Sequence, residues 1–348
     1  MRKIIDSHVH ISKWGEEDFI PFFDEYVESE GLHAINVCSV PLRQSVVCNN
    51  IVLALYKLAR PYAYAHAGIE LISIPIDNMP SDMDALTQYK ELMEIGFDGI
   101  KMLEGKPNVH KLVGKNLNHP SLNKLYAQIE KDGTHLLMHV NDPDEFWDLE
   151  RAPKWAVDCG WTYTDGTYAP YEEIKRQTIK ILEDYPNISL TLAHFFFSSK
   201  EPELLEKLFA LYPNLCVDLT PGGEMYVEFE KNYGYYKSFF EKYSSRLIFG
   251  TDRAYMCDQV YAKWLYDLVT TFVGTDKEAN SFDNKKLKGL GLPDAKRDEI
   301  LFANFERRVG NAPKAINKEK LKAYIEKYSF ALTDEDKKRL APLIEKYL

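Results

Sequence analysis

Nine histidines occur among the 348 residues, and four of them stand within two residues of the C-terminal end of a short apolar run. His8 and His10 are two apart in Ile5-Asp6-Ser7-His8-Val9-His10, so a strand's pleat turns both to one face. His139 closes the run 135–140, His194 closes 189–194, and Asp252 ends Phe249-Gly250-Thr251-Asp252. If those positions converge, three imidazoles and a carboxylate form a donor set suited to Zn2+, Mn2+ or Fe2+. A catalytic ion so held keeps a position for water, lowers that water's pKa towards 7, and leaves a neighbouring carboxylate to take the proton. A lone buried histidine is more often a satisfied core residue; His33 and His135 open their runs and read as structural. His66 is undecided, and His110 and His119 fall in loops without distinctive spacing.

The positioning elements are eight apolar runs, 3–10, 33–40, 62–74, 99–103, 135–140, 189–194, 215–219 and 247–251. Between them lie stretches of helical period, such as Ile51, Leu55 and Leu58, or Leu122, Leu125 and Ile129. Buried parallel strands read as continuous Val/Ile/Leu runs, so the alternation predicts an α/β protein, a (β/α)8 TIM barrel over residues 1–310. An open doubly wound sheet would need a glycine-rich loop after the first strand, where Ile11-Ser12-Lys13-Trp14 stands instead. In a barrel His8 and His10 face the interior, and Ser7 and Val9 the helix layer. Two connections exceed a β/α unit: 141–170, rich in Asp, Trp and Tyr, and 255–293, with the stripe Trp264, Leu265, Leu268 and Phe272. Residues 311–348 read as a helical tail packed on the barrel, with Thr333-Asp334-Glu335-Asp336 opening a helix.

Lys and Arg number 43 against 53 Asp and Glu, a formal charge of −10. No basic field for nucleic acid is present. Cys38, Cys48, Cys159, Cys216 and Cys257 include no Cys-x-x-Cys pair and read as reduced thiols of a cytoplasmic protein. No secretory signal is evident, and no run approaches the roughly 18 apolar residues of a membrane span. The expected partner is a small-molecule substrate; oligomeric state is left open, a homo-oligomer included.

Taken together, Ile5-Asp6-Ser7-His8-Val9-His10, the strand-end His139 and His194, and Ile248-Phe249-Gly250-Thr251-Asp252 resemble the amidohydrolase superfamily. The closer resemblance is to its amidohydrolase-related branch (amidohydrolase family 2) of metal-dependent TIM-barrel hydrolases and decarboxylases. Gly96-Phe97-Asp98-Gly99-Ile100-Lys101, Leu192-Ala193-His194, Pro213-Asn214-Leu215-Cys216-Val217-Asp218 and Ile300-Leu301-Phe302-Ala303-Asn304-Phe305-Glu306-Arg307 extend the likeness. The resemblance implies His8, His10, His139 and Asp252 as metal ligands, with Asp252 also the general base. It gives His194 a second role, binding another ion or hydrogen-bonding the water or substrate. Lys101 is carbamylated between two metals in some branches, whereas others hold one ion; one is favoured here, zinc before manganese or iron.

An inward Lys101 needs a partner, whether carbamate, substrate carboxylate or Glu104. Arg43, Glu224 and Tyr255 stand just beyond strands and are further candidates to line the substrate site. The expected reaction is hydrolysis of a small carbonyl substrate, such as an amide or lactone, by activated water. The alternative is a lyase, a non-oxidative decarboxylase or hydratase acting on a small carboxylic acid.

Overall fold

The computed structural model describes residues 3–11, 19–40, 45–72, 80–254, 258–282 and 285–348. Among them, the apolar runs become nine parallel strands of one sheet: β1 (Ile5–His10), β2 (Ala34–Cys38), β3 (Tyr64–Ala67), β4 (Gly99–Gly105), β5 (His135–Val140), β6 (Leu190–Leu192), β7 (Leu215–Asp218), β8 (Leu247–Ile248) and β9 (Arg253–Ala254). Their spatial order is β8-β7-β6-β5-β4-β3-β2-β1-β9. Every strand through β8 is buried along its whole length, as a sheet covered on both faces requires.

The two outermost strands are successive pieces of one stretch of chain. Leu247 pairs with Val217 on β7, whereas Arg253 pairs with Val9 on β1. Between them, Ser7 N donates to Phe249 O at 3.2 Å and Asp252 N to His8 O at 2.9 Å. The expected eighth strand, 247–251, is therefore interrupted. Asp252 has φ 59°, which takes the backbone out of the ladder between β8 and β9. The third and sixth runs also shorten, to Tyr64–Ala67 and Leu190–Leu192.

Helices such as Phe19–Ser29, Val46–Ala59, Ala85–Ile95 and Pro202–Leu211 occupy the connections. Their apolar faces join the outward side chains of the sheet, Val9 among them, in one large core. The connection 141–170 folds on itself: Phe146, Ala156 and Tyr163 form a small cluster with Trp147, Trp161 and Tyr168. In 255–293, helix Gln259–Gly274 carries the expected stripe and is followed by an antiparallel ribbon, Glu278–Asn280 with Lys286–Lys288. At the C-terminus, Tyr324 and Tyr328 of the helix Lys318–Lys327 region reach back to the helix layer. Asn50 Nδ2 donates to Tyr324 Oη at 3.1 Å, and Tyr328 Oη donates to Glu91 Oε2 at 2.7 Å. Helix Asp334–Tyr347 opens with a capping box between Thr333 and Asp336.

Cys38, Cys48, Cys159 and Cys216 are free thiols, the exposed one being Cys159; Cys257 lies outside the described residues. Among the described residues no helix is long and apolar enough to cross a membrane.

Candidate metal centre

β1 presents two imidazoles whose outer nitrogens are already committed. His10 Nδ1 donates to the Cys38 carbonyl on β2 at 3.1 Å, and His8 Nδ1 donates to Asp218 Oδ2 on β7 at 2.8 Å. An acceptor at Nδ1 fixes the tautomer and leaves Nε2 as the lone pair. Both Nε2 atoms face Asp252, with Oδ1 at 3.0 Å from His10 and 3.7 Å from His8. The ligand atoms of His8, His10 and Asp252 all lie within 4.8 Å of one another.

A second pair adjoins the first. His139 Nε2 donates to the Asn141 carbonyl at 2.7 Å, and His194 Nδ1 faces the Thr220 carbonyl at 3.3 Å and its hydroxyl at 3.1 Å. The remaining nitrogens, His139 Nδ1 and His194 Nε2, confront each other at 3.2 Å, and His194 Nε2 stands 4.0 Å from Asp252 Oδ2. With those tautomers, lone pair meets lone pair, and His10 Nε2 likewise meets a carboxylate oxygen. Such an arrangement is satisfied by a proton or a cation placed between the groups.

Burial disfavours the proton. It pushes the His139 and His194 imidazoles down to about 4, and His8 well below its ordinary value. Burial works the other way on Asp252, but the His10 hydrogen bond and the surrounding imidazoles outweigh it and hold the carboxyl well below the usual range. The neutral imidazoles of His8, His139 and His194 beside the ionised Asp252 carboxylate fit a divalent ion.

The backbone is bent to make this geometry. His194, Phe195, Phe196 and Phe197 all have φ between 46° and 58°, and Asn141 has φ 68°. Left-handed non-glycine residues cost about 1–2 kcal/mol each. The turn is held by His194 N donating to Asp218 Oδ1 at 2.8 Å and by Phe195 packing on Phe229 and Phe240. Asp6 braces the other side, accepting from Tyr26 Oη and Thr251 Oγ1 at 2.6 Å each, beside Asp252.

Lys101 lies beneath the centre on β4, buried, with Nζ 2.9 Å from His8 Nε2. Burial lowers its pKa, and Cys38 and Asp252 oppose that effect. Glu104 is buried too, with Oε2 unpartnered and the carboxyl raised by burial to about 7. It does not border the cavity above the centre: β4 shifts register between Met102 and Gly105, and that segment gives Leu103 and Lys106 to the wall instead. The cavity measures about 640 Å3, with His10, His139, His194 and Asp252 at one end and Phe146, Trp155, Trp161 and Phe282 in its walls. Glu224 lines it as expected; Arg43 and Tyr255 lie outside the described residues.

Sequence reasoning missed Asp218 and a group at the cavity wall. Lys106 Nζ is gripped by both oxygens of Asp142, at 2.5 and 2.6 Å, and lies 4.3 Å from the centroid of the Trp161 ring. Tyr163 Oη also donates to Asp142. The available signal was position: Asp218 ends a strand, and Lys106 and Asp142 stand just beyond two others.

No family model matches the chain, and no curated protein matches it in sequence. Solved structures do match. An uncharacterised TIM-barrel protein from Bordetella bronchiseptica is 16% identical with a TM-score of 0.55, covering 89% of this chain and all of the other. A probable 2-pyrone-4,6-dicarboxylic acid hydrolase from Acinetobacter baumannii is 13% identical, TM-score 0.51, covering 88% of this chain and 99% of that one. A 4-oxalomesaconate hydratase from Rhodopseudomonas palustris is 11% identical, TM-score 0.51, covering 94% and 99%. At these identities the likeness is one of fold: the chain shares, over nearly its whole length, an α/β architecture found in both a TIM-barrel protein and metabolic enzymes.

Proposed function

We propose that this protein is a metal-dependent enzyme of the amidohydrolase type that hydrolyses a small carbonyl substrate, such as an amide or lactone. The observation that carries the reading is the set of three imidazoles, His8, His10 and His194, whose Nδ1 atoms are anchored and whose Nε2 atoms lie within 4.0 Å of Asp252, with His139 set against His194. His8, His10 and Asp252 would hold one divalent ion, zinc before manganese or iron, with His139 and His194 as the adjoining donors. When bound, such an ion polarises a carbonyl and acidifies water.

The remaining work falls to the chain itself. Asp252, kept ionised, accepts the proton of the attacking water and passes it to the leaving group. His194, fixed by Thr220 through Nδ1, turns the lone pair of Nε2 to the site and accepts a hydrogen bond from the attacking water. The aromatic wall excludes bulk water and so strengthens each polar contact. The same reading takes the sheet as a closed (β/α)8 barrel: the stretch 247–254 bonds to β7 at one end and β1 at the other. Its free thiols fit a reducing compartment such as the cytoplasm.

The hydratase of like fold keeps the lyase reading in view. Lys106, the Lys or Arg side chain among the described lining residues, is bound by Asp142, and Arg43, the expected carboxylate clamp, lies outside them. Release of CO2 without a hydrolysed product, with Arg43 protected by substrate, would favour the lyase. Elemental analysis of the purified protein tests the centre: near-stoichiometric metal is expected, falling in His8→Ala and His10→Ala. Asp252→Asn should abolish turnover of a lactone and amide panel while retaining part of the metal. Wild-type metal no higher than in His10→Ala, or full activity in Asp252→Asn, refutes it.

A further inference from the structure

The cavity wall contains a carboxylate with one oxygen that no group of the chain satisfies. Glu224 follows Pro221-Gly222-Gly223, just beyond β7, and borders the cavity together with those three residues. Its Oε1 is buried and has no hydrogen-bond partner. A buried acceptor left unmade costs about 1–3 kcal/mol, so a position of this kind persists when something outside the chain satisfies it.

The two glycines make room for that carboxylate. A Cβ on Gly222 would sit 2.6 Å from both Glu224 carboxylate oxygens, and one on Gly223 would sit 3.2 Å from the Phe282 ring. Neither glycine has a left-handed backbone, so their function is closeness rather than a turn. Gly222 lets the carboxylate fold back over the main chain, and Gly223 lets an aromatic wall press against it. The loop is shaped around the acid.

The charges around the cavity point the same way. Among the described lining residues, Asp142, Glu224 and Asp252 are acidic, against the single side-chain cation Lys106, which Asp142 neutralises with both oxygens. Burial raises the Glu224 carboxyl to about 8; its own backbone N–H pulls it down, and Glu145 pushes it up. Lys200, the nearby base, is engaged by Asp144 and Glu145.

We infer that Glu224 is a specificity residue that receives a hydrogen-bond donor of the substrate, so that the site takes a ring-sized, largely apolar molecule carrying an amine, amide N–H or hydroxyl besides its reacting carbonyl. Once ionised, Glu224 rejects a second substrate carboxylate at that position, which would meet a like charge and find Lys106 held by Asp142. The inference rests on the metal-centre reading, which supplies the fixed end of the substrate.

The test uses zinc-loaded full-length protein and benzohydroxamate, a chelating probe with a ring, at about pH 9, above the value to which burial lifts the Glu224 carboxyl. Derivatives carrying an aminomethyl or a carboxylate group at the meta or para position are compared by calorimetry. The aminomethyl compound of the better-binding position should bind about tenfold tighter than its carboxylate counterpart, and Glu224→Gln should shrink that ratio to about threefold or less. Equal affinities in the wild type, a preference for the carboxylate, or a ratio unchanged in Glu224→Gln overturns the inference. The parent compound separates the two levels. If it binds only with zinc present and the ratio is flat, Glu224 alone has been misread; if it fails to bind with zinc, the metal centre falls and the inference with it. Because the wild-type ratio needs no variant, instability of Glu224→Gln does not shield the claim.

Discussion

Replacing Asp218 with Asn changes few atoms and should disable the centre from behind. Asp218 accepts from His8 Nδ1 with Oδ2 and from His194 N with Oδ1, both at 2.8 Å. The new amide can keep its oxygen on the His194 and Thr220 donors, which leaves its NH2 facing His8 Nδ1. Two donors cannot share that contact, so His8 must move its proton to Nε2, the nitrogen turned towards Asp252. The lone pair offered to an ion is lost although no ligand has been removed. Partners of this kind are worth about 10–100-fold in metal affinity, or about 1.4–2.8 kcal/mol. Competition against a chromophoric zinc chelator at pH 7.5 measures the change directly. Asp218→Ala is the contrast: it removes the acceptor of four buried donors, His8 Nδ1, His194 N, Thr220 N and Thr220 Oγ1, each left unmade costing about 1–3 kcal/mol in urea unfolding of the metal-free protein. Wild-type zinc affinity in a folded Asp218→Asn protein would refute the tautomer argument.

Three further perturbations probe the surrounding frame. Gly250→Ala would put a Cβ 2.8 Å from Thr220 Cγ2 and 2.9 Å from His8 Cβ. It should cost about 1–3 kcal/mol in urea unfolding and weaken zinc binding in parallel; loss of neither would show that the strand break tolerates bulk. His66 and His135 bond to each other at 2.8 Å, and burial lowers His135 to about 3 and His66 well below its ordinary value. Both stay neutral when folded and protonate near pH 6.5 when unfolded, so the unfolded chain binds more protons below that pH. Their stabilisation is complete above pH 6.5 and declines as pH falls towards 3. Calorimetric unfolding of metal-free protein at pH 5.5 in buffers of different ionisation enthalpy should take up about two protons fewer in a His66→Gln/His135→Gln double variant than in the wild type, and equal uptake would contradict the neutral pair. Thr333→Ala removes one half of the capping box and should lower stability by about 1 kcal/mol, read as a shifted urea midpoint.

The parts of this structure that the sequence disclosed are those that depend on local pattern. Continuous Val/Ile/Leu runs located the strands, and the His8–His10 spacing put both rings on one face because a pleat allows nothing else. Thr333 and Asp336 announced a helix start because capping is chemistry within four residues. What stayed hidden depends on how the backbone leaves those patterns. The break at Asp252 and the left-handed turn at His194–Phe197 have no composition signal, since neither Asp-Arg nor three phenylalanines advertise positive φ. Asp218 was quoted only as part of a strand, because an acid at a strand's end is indistinguishable from a surface residue until His8 is seen beside it. Glu104 failed to reach the cavity for a related reason: one register shift in β4 redirected the residues that follow it.

The stretch 247–254 joins the first and seventh strands and carries Asp252 at the join. The histidines of β1 therefore meet their acidic partner only when the first strand and this far later stretch have been brought together and fastened. Occupancy by the proposed ion would thus report on the closure between the first and seventh strands. An excess of zinc should hold that closure, resisting unfolding from the ends inward, and severing the chain anywhere between β1 and β8 should leave two fragments that grip the ion only when recombined.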